Sequence, residues 1–307
     1  MLYNSHVLLF ILEEILPMKK QAFSLIILAG LLWGTSGIFV HYLAPFGFSS
    51  LQLVFFRTTV STLVMLAYIL ATDKSLVRAS RSELLLYAIS GLCLFGTGSF
   101  YYISMRATSV STAVVLMYTA PVIVMIYSVM FLGEKFTALK GVSLVCMLIG
   151  CALVSGIIGG LKFDAYGIIM GFMSGISYSA YNILTKIQMR RGNNPITATL
   201  YCFGFAAIAA LILCKPWGIA PCIAKSPAVT LPLLVTIGLA TCVAPYFLYT
   251  LSLRALPVGT AAALGIVEPM AATVYSVVIF GEELGIYSIC GIVLILGAVF
   301  LLSRSDG

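Results

Sequence analysis

Charge is nearly missing from this sequence. Asp, Glu, Lys and Arg together make up 9% of its 307 residues, against about 25% in soluble domains, so a water-solvated surface of ordinary composition is excluded. Histidine is scarcer still. His6 and His41 stand far apart and offer no metal cluster, which argues against a metalloenzyme. The eight cysteines (93, 146, 151, 202, 214, 222, 242, 290) form no Cys-x-x-Cys pair and read as small, reduced, buried apolar residues. No Walker-type Gly-rich phosphate loop occurs, so the chain alone has no machinery for ATP-driven pumping. No metal and no cofactor is expected.

What fills the sequence instead is apolar: 61% hydrophobic residues and a mean hydropathy of +1.11. Apolar runs of about 20 residues, enough to cross a hydrocarbon core of about 30 Å, recur from Phe23 to Ser303. They predict ten transmembrane helices, at 23–43, 49–72, 83–104, 110–131, 138–159, 165–185, 196–214, 229–251, 259–280 and 283–303. The runs are too long and too uniformly apolar for barrel strands. The expected fold is therefore an all-α polytopic membrane protein.

Basic residues orient it. With the N-terminus inside, Lys19, Lys20, Lys74, Arg78, Arg81, Lys135, Lys140, Lys186, Arg190, Arg191, Arg254 and Arg304 fall on the cytoplasmic side. Arg106, Lys162, Lys215 and Lys225 fall outside. This asymmetry puts both termini in the cytoplasm and explains the +7 formal charge without a nucleic-acid partner. The first seventeen residues lack a secretory cleavage pattern and are too short to span. Met18-Lys19-Lys20 reads as the more natural start, with residues 1–22 an extension.

The chain also repeats itself. At a shift of 148, residues 101–134 match 249–282 at Tyr101/Tyr249, Ser104/Ser252, Arg106/Arg254, Thr112/Thr260, Pro121/Pro269, Tyr127/Tyr275, Gly133/Gly281 and Glu134/Glu282. A fainter shift of 145 sets Gly30 on Gly175 and Trp33 on Tyr178. The predicted domains are two five-helix repeats, 23–159 and 165–303. An odd number of spans per copy inverts the second relative to the first, an architecture of secondary transporters with a midplane substrate site.

The segments "LLWGTSGIF", "YTAPVIVMIYSVMFLGEK" and "VEPMAATVYSVVIFGEE", with this two-half organisation, resemble the EamA branch of the drug/metabolite transporter superfamily over nearly the whole of residues 23–303. The resemblance implies export of a small metabolite, often an amino acid or derivative, through a cavity built by the third, fourth, eighth and ninth spans.

Within that frame a few residues carry chemistry. Glu268 lies about 15 Å into its span at 1.5 Å per residue, where a bare carboxylate is costly; its repeat counterpart is Ala120. Arg57 lies at similar depth, with Cys202 as counterpart. The two read as a structural ion pair, as a proton-carrying acid beside a cation, or as contacts for the ends of a zwitterionic substrate; all three stay open. Pro121 and Pro269 should kink or interrupt their spans and free a carbonyl, as packing features or as hinges lining the cavity. Glu134 and Glu282 read as caps of the next helix or as gate contacts, one at each face. Tyr101, Tyr102, Tyr118, Tyr246 and Tyr249 stand on the cavity-forming spans the resemblance implies and are candidate substrate contacts. Trp33 reads as packing. Gly167, Gly171, Gly175 and Ser179 make a small-residue stripe, for packing in the monomer or for a homodimer.

The expected function is alternating-access export of an amino acid or its derivative across the plasma membrane, with proton coupling open. Another metabolite, such as a nucleobase or vitamin, is the alternative. A passive channel or a membrane-embedded enzyme fits less well, the latter because only Glu268 and Arg57 are at hand.

Overall fold

The computed structural model describes the backbone of residues 5–156, 164–214, 216–281 and 283–305, with side chains from Lys19 onward apart from those of Ser111 and Ser305. Glu282, Lys162, Lys215 and the predicted end of the fifth span at 157–159 lie outside the described residues, as do the side chains of residues 1–18.

Among the described residues every regular element is a helix: α1 (Ser5–Gly34), α2 (Ser36–Leu43), α3 (Ser50–Thr72), α4 (Arg81–Ala107), α5 (Val110–Met117), α6 (Ala120–Phe131), α7 (Ala138–Val154) and α8 (Ala165–Arg190), then α9 (Pro195–Leu213), α10 (Ile219–Ala224), α11 (Pro227–Gly238), α12 (Ala244–Ser252), α13 (Val258–Leu264), α14 (Val267–Phe280) and α15 (Ile286–Ser305). Small polar residues start many of them. Ser49 and Ser80 close capping boxes with Gln52 and Glu83, and Ser109, Thr137, Asp164 and Asn194 each accept a backbone N–H from the first turn that follows. Such caps satisfy donors that no helical carbonyl reaches.

Eight helical stretches among the described residues are long and apolar enough to cross a membrane: Lys19–Phe46, Ser50–Thr72, Arg81–Ala107, Thr112–Phe131, Pro195–Leu213, Pro227–Ser252, Val258–Phe280 and Ile286–Arg304. Two of the ten predicted spans stand apart. Helix α7 is apolar but has 17 residues. Helix α8 has 26 residues but buries Ser174, Ser179, Asn182, Thr185, Lys186 and Gln188. That polarity is tolerable because protein, not lipid, surrounds it: α8 packs along α4 and also meets α5, α6, α12 and α13.

Several spans are broken rather than kinked. The stretch from Thr112 divides at Tyr118–Thr119 and the one from Val258 divides at Gly265–Ile266. Pro121 and Pro269 sit in the first turn of α6 and α14, just beyond each break. Of the two expected effects, kink or interruption, each span shows the interruption: two half-helices, with the proline in a first turn where it removes an N–H that has no helical partner anyway. Between α11 and α12 a single π-turn, Leu239–Val243, precedes Pro245.

Helix α1 packs on α12 and α14, α3 on α9, α4 on α9, α6 on α13, and α7 on α15. The small-residue stripe of α8 is consumed inside the chain. A Cβ on Gly171 would lie 2.5 Å from Leu116 Cδ1, and one on Gly175 would lie 3.0 Å from the Leu116 carbonyl oxygen. Of its two expected roles, the stripe takes that of packing within the monomer. A close crossing pairs Gly150 of α7 with Gly291 of α15, where a Cβ on either would lie 2.9 or 2.7 Å from the other's carbonyl oxygen. Gly150→Val should therefore force α7 and α15 apart and lower stability by about 1–3 kcal/mol. Thermal unfolding of the detergent-solubilised protein measures this, with Gly297→Ala, at a site with open space around it, as the unaffected control.

Candidate functional site

The helix breaks surround a cavity of about 530 Å³, well within the usual range for small-molecule sites. Its inner end is walled by Trp33, Tyr178, Phe203, Cys242 and Tyr246. From there it runs toward the end of the bundle where α2 stops and α5 begins, reaching Val40, Ser50, Met105 and Val110.

Both isolated charges of the sequence face this space. Glu268 and Arg57 are half-buried and line the cavity, but they do not meet in a salt bridge. Glu268 instead accepts a hydrogen bond from the Tyr118 hydroxyl through Oε2 at 2.8 Å. Arg57 points its Nε at Cys242 Sγ, 3.2 Å away. The ion pair therefore takes another form: two opposite charges share a cavity, each held by its own neutral partner.

The local sequence explains both placements. Glu268 stands in the first turn of α14, where backbone N–H groups and the helix dipole favour a carboxylate. That turn exists because Pro269 ends the preceding pattern, leaving the Gly265 carbonyl without its usual donor four residues on. The Tyr118 hydroxyl also lies 3.3 Å from that carbonyl oxygen, so one buried tyrosine at the α5–α6 break serves the α13–α14 break across the cavity. Cys242 reaches Arg57 from within the π-turn of Leu239–Val243, a local widening common at functional positions.

Of the tyrosine candidates, Tyr101, Tyr102, Tyr118 and Tyr246 line the cavity. Tyr101 and Tyr102 meet edge to face at 5.5 Å. Tyr249 does not line it. It is fully buried, its ring tilted against Trp33 at 5.7 Å, because it stands almost one turn beyond Tyr246 on α12 and packs toward α1. Trp33, expected to be packing alone, both packs edge-on against Tyr246 at 5.0 Å and lines the cavity. Tyr178 and Cys242 also line the cavity, and neither stands out from the sequence as a site residue. The fainter repeat match of Trp33 to Tyr178 carried the signal for the first, and Pro245 just after the π-turn carried a weaker one for the second.

The opposite end of the bundle is shut by charged side chains that grip helix ends. Glu134 does not cap the next helix, a role taken by Thr137. It reaches across to α13, accepting the backbone N–H of Val258 at 2.9 Å and of Gly259 at 3.4 Å. Lys186, buried on α8, donates to the Leu253 and Leu256 carbonyls at 2.7 and 2.6 Å. Arg190 Nη2 donates to the Leu132 carbonyl at 2.8 Å. Together these tie α6, α8, α12 and α13 at one end. Glu282, the repeat counterpart of Glu134, is outside the described residues.

Comparison with known proteins places this geometry. The model of the EamA-like transporter family matches twice, over residues 20–156 and 165–304. An uncharacterized transporter of Archaeoglobus fulgidus is 28% identical over 281 residues, covering 91% of this chain and 95% of the relative. The uncharacterized transporter YwfM of Bacillus subtilis is 25% identical over 290 residues, covering 94% and 96%. A protein solved by crystallography shares the fold with a TM-score of 0.77 at 19% identity, over 93% of this chain and 98% of that one. The chain belongs to the EamA-like transporter family of the drug/metabolite transporter superfamily, and is a multi-pass membrane transporter of a small molecule rather than an enzyme.

Proposed function

We propose that this chain exports an amino acid or an amino-acid derivative across the plasma membrane by alternating access. The carrying observation is the cavity's charge pattern: Arg57 and Glu268 face the same space without neutralising each other. A zwitterion supplies both missing counter-charges at once, and the aromatic walls of Trp33, Tyr101, Tyr102 and Tyr246 suit an apolar side chain. A cavity that reaches one end of the bundle while charged side chains clamp the other fits alternating access better than a continuous pore.

The frame for this mechanism is ten spans in two inverted five-helix repeats, residues 23–159 and 165–303, with both termini cytoplasmic. Symmetric packing supports it. Helix α8 lies against α4 and α5–α6, as α1 lies against α12 and α13–α14, which is the same arrangement with the halves exchanged. Detail follows the same rule. Gly30 faces Val267 and Gly175 faces Thr119, two glycines matched at the shift of 145 against two residues matched at 148. The clamp then lies at the cytoplasmic face, beside Lys135, Arg190 and Arg254, and the cavity opens outward. In such a frame the half-helix breaks are the joints at which the bundle rocks.

The reading is tested by counterflow in proteoliposomes with a radiolabelled panel of the twenty amino acids. At least one should accumulate saturably, and Arg57→Met should abolish its accumulation; accumulation of none overturns the cargo assignment. Tyr118→Phe, which deletes one hydrogen bond to a carboxylate worth about 1.5–3 kcal/mol, should reduce that transport roughly 10- to 100-fold and lower the thermal midpoint by a few degrees.

A further inference from the structure

Beneath the inner wall of the cavity, α8 carries a polar stripe that its contacts leave half-used. Tyr178, Asn182 and Lys186 are spaced four residues apart, so they stack on one face of the helix about 6 Å from one another. Tyr178 lines the cavity, and Lys186 grips the Leu253 and Leu256 carbonyls at the clamped end. Asn182 lies between them with no exposed surface, 0%. Neither its amide oxygen nor its amide nitrogen makes a close hydrogen bond, the Tyr178 hydroxyl one turn away being its polar neighbour. An asparagine amide offers two donors and an acceptor, and leaving most of them unmet in protein is expensive enough that an apolar residue of similar shape would be the more stable choice.

Asn182 is not alone. The Tyr249 hydroxyl on α12 and the Trp33 indole N–H on α1 are also buried without partners, and their rings are 5.7 Å apart. The Tyr249 hydroxyl lies within electrostatic reach of both Tyr178 and Glu134. Asn182 and the Tyr249 hydroxyl thus lie between Tyr178 at the cavity wall and the clamp of Lys186 and Glu134, with the Trp33 N–H at the cavity's inner wall.

We propose that Asn182, with the Tyr249 hydroxyl and the Trp33 N–H, forms an inner half-site that takes the hydrogen-bonding head group of a small organic cargo, a carboxylate or ammonium end, once the Glu134 and Lys186 contacts part. The inference rests on the transporter reading above and extends it to the half of the path hidden in this conformation. Groups that are unsatisfied in the resting state and satisfied by cargo in the next one raise the first relative to the second. They favour passage without adding a deep binding well along the route.

Two measurements on the full-length protein test it. Asn182→Leu removes the amide while keeping its branched heavy-atom shape, so the thermal midpoint should rise by about 2–4 °C while counterflow of the amino acid moved by the wild type falls about tenfold. A lowered midpoint would mean that the amide has a structural partner, and unchanged counterflow would mean that cargo never meets it; either overturns the half-site. The second measurement needs no cargo. Asn182→Cys is treated in right-side-out and inside-out vesicles with a charged, membrane-impermeant thiol reagent, and modification is read on the peptide containing residue 182 by mass spectrometry. The half-site requires modification from the cytoplasmic face alone, accelerated at least tenfold when Glu134→Ala is added. Modification from neither face, or from the outer face, overturns it. If the wild type moves no amino acid, the cargo assignment fails while the vesicle labelling still decides whether Asn182 lies on the path.

Discussion

Glu268→Gln should stop transport without unfolding the protein. The carboxylate accepts a hydrogen bond from Tyr118 and faces the cavity, but it holds no salt bridge to Arg57, whose Nε is turned to Cys242. Glutamine keeps an oxygen for the Tyr118 hydroxyl and keeps the volume. It deletes only the charge. Were the two residues a buried ion pair, removing one would strand the other at a cost of about 3–5 kcal/mol, and the variant would express poorly or melt early. The geometry instead predicts a thermal midpoint close to that of the wild type. Counterflow should drop by about a hundredfold or more, since a cargo ammonium would lose its charge-assisted contact. Uptake assays and thermal unfolding on the same preparation separate the cases. Lost folding with lost transport would return Glu268 to a structural role, whereas retained transport would remove it from the site. A variant that fails pH-gradient-driven uptake but retains exchange would assign the carboxylate to proton coupling specifically.

Much of this arrangement is legible in the sequence, and the reasons are physical. Apolar runs of membrane length announce spans because a bilayer tolerates few alternatives. Predicted and observed limits agree within a few residues at 49–72 against Ser50–Thr72 and at 259–280 against Val258–Phe280. The isolated charges announce the cavity for the same reason, since Arg57 and Glu268 would not persist facing lipid. What the sequence conceals is set by tertiary contact. Helix α8, read as a span at 165–185, runs on to Arg190, and its polar Asn182, Lys186 and Gln188 make sense only once α4, α5 and α6 are seen to pack against it. The Arg57–Glu268 pairing suggested by matched depth dissolves because rotation about each helix axis, which depth does not fix, turns the two toward Cys242 and Tyr118. Tyr249 falls behind the wall for the same reason: nearly one turn separates it from Tyr246, and the difference in azimuth is enough to exchange cavity for core. Pro121 and Pro269 mark the right spans but leave open the choice between kink and interruption. A proline pattern alone does not say whether the helix bends through it or ends one turn before it, as α5 and α13 do.

Glu134→Ala should unlatch the closed end. Its carboxylate binds two consecutive backbone N–H groups, those of Val258 and Gly259, at the start of a helix only seven residues long. So short a helix has little cooperative reserve, and two of its first donors would be left without acceptors. Hydrogen bonds to a charged group contribute about 1.5–3 kcal/mol each. Even one of them, lost from the closed state alone, would shift the balance between closed and open by roughly 10- to 100-fold. Amide exchange should therefore accelerate at least tenfold across Val258–Leu264 while α3, which lies on the other side of the cavity, keeps its protection. Affinity for cargo presented from the cavity's open side should weaken in proportion to the depleted population. Lys186→Met is the complementary variant. It leaves the Leu253 and Leu256 carbonyls without their donor, and so should loosen the α12–α13 connection from the other side of the same latch. If the two contacts are parts of one device, the double variant will exchange little faster than the more severe single, because once the end has parted there is nothing further for the second to release. Fully additive effects would mean that Glu134 and Lys186 steady separate helices and that the end opens elsewhere. Unchanged exchange in Glu134→Ala would mean that α13 is held by its packing against α6 alone.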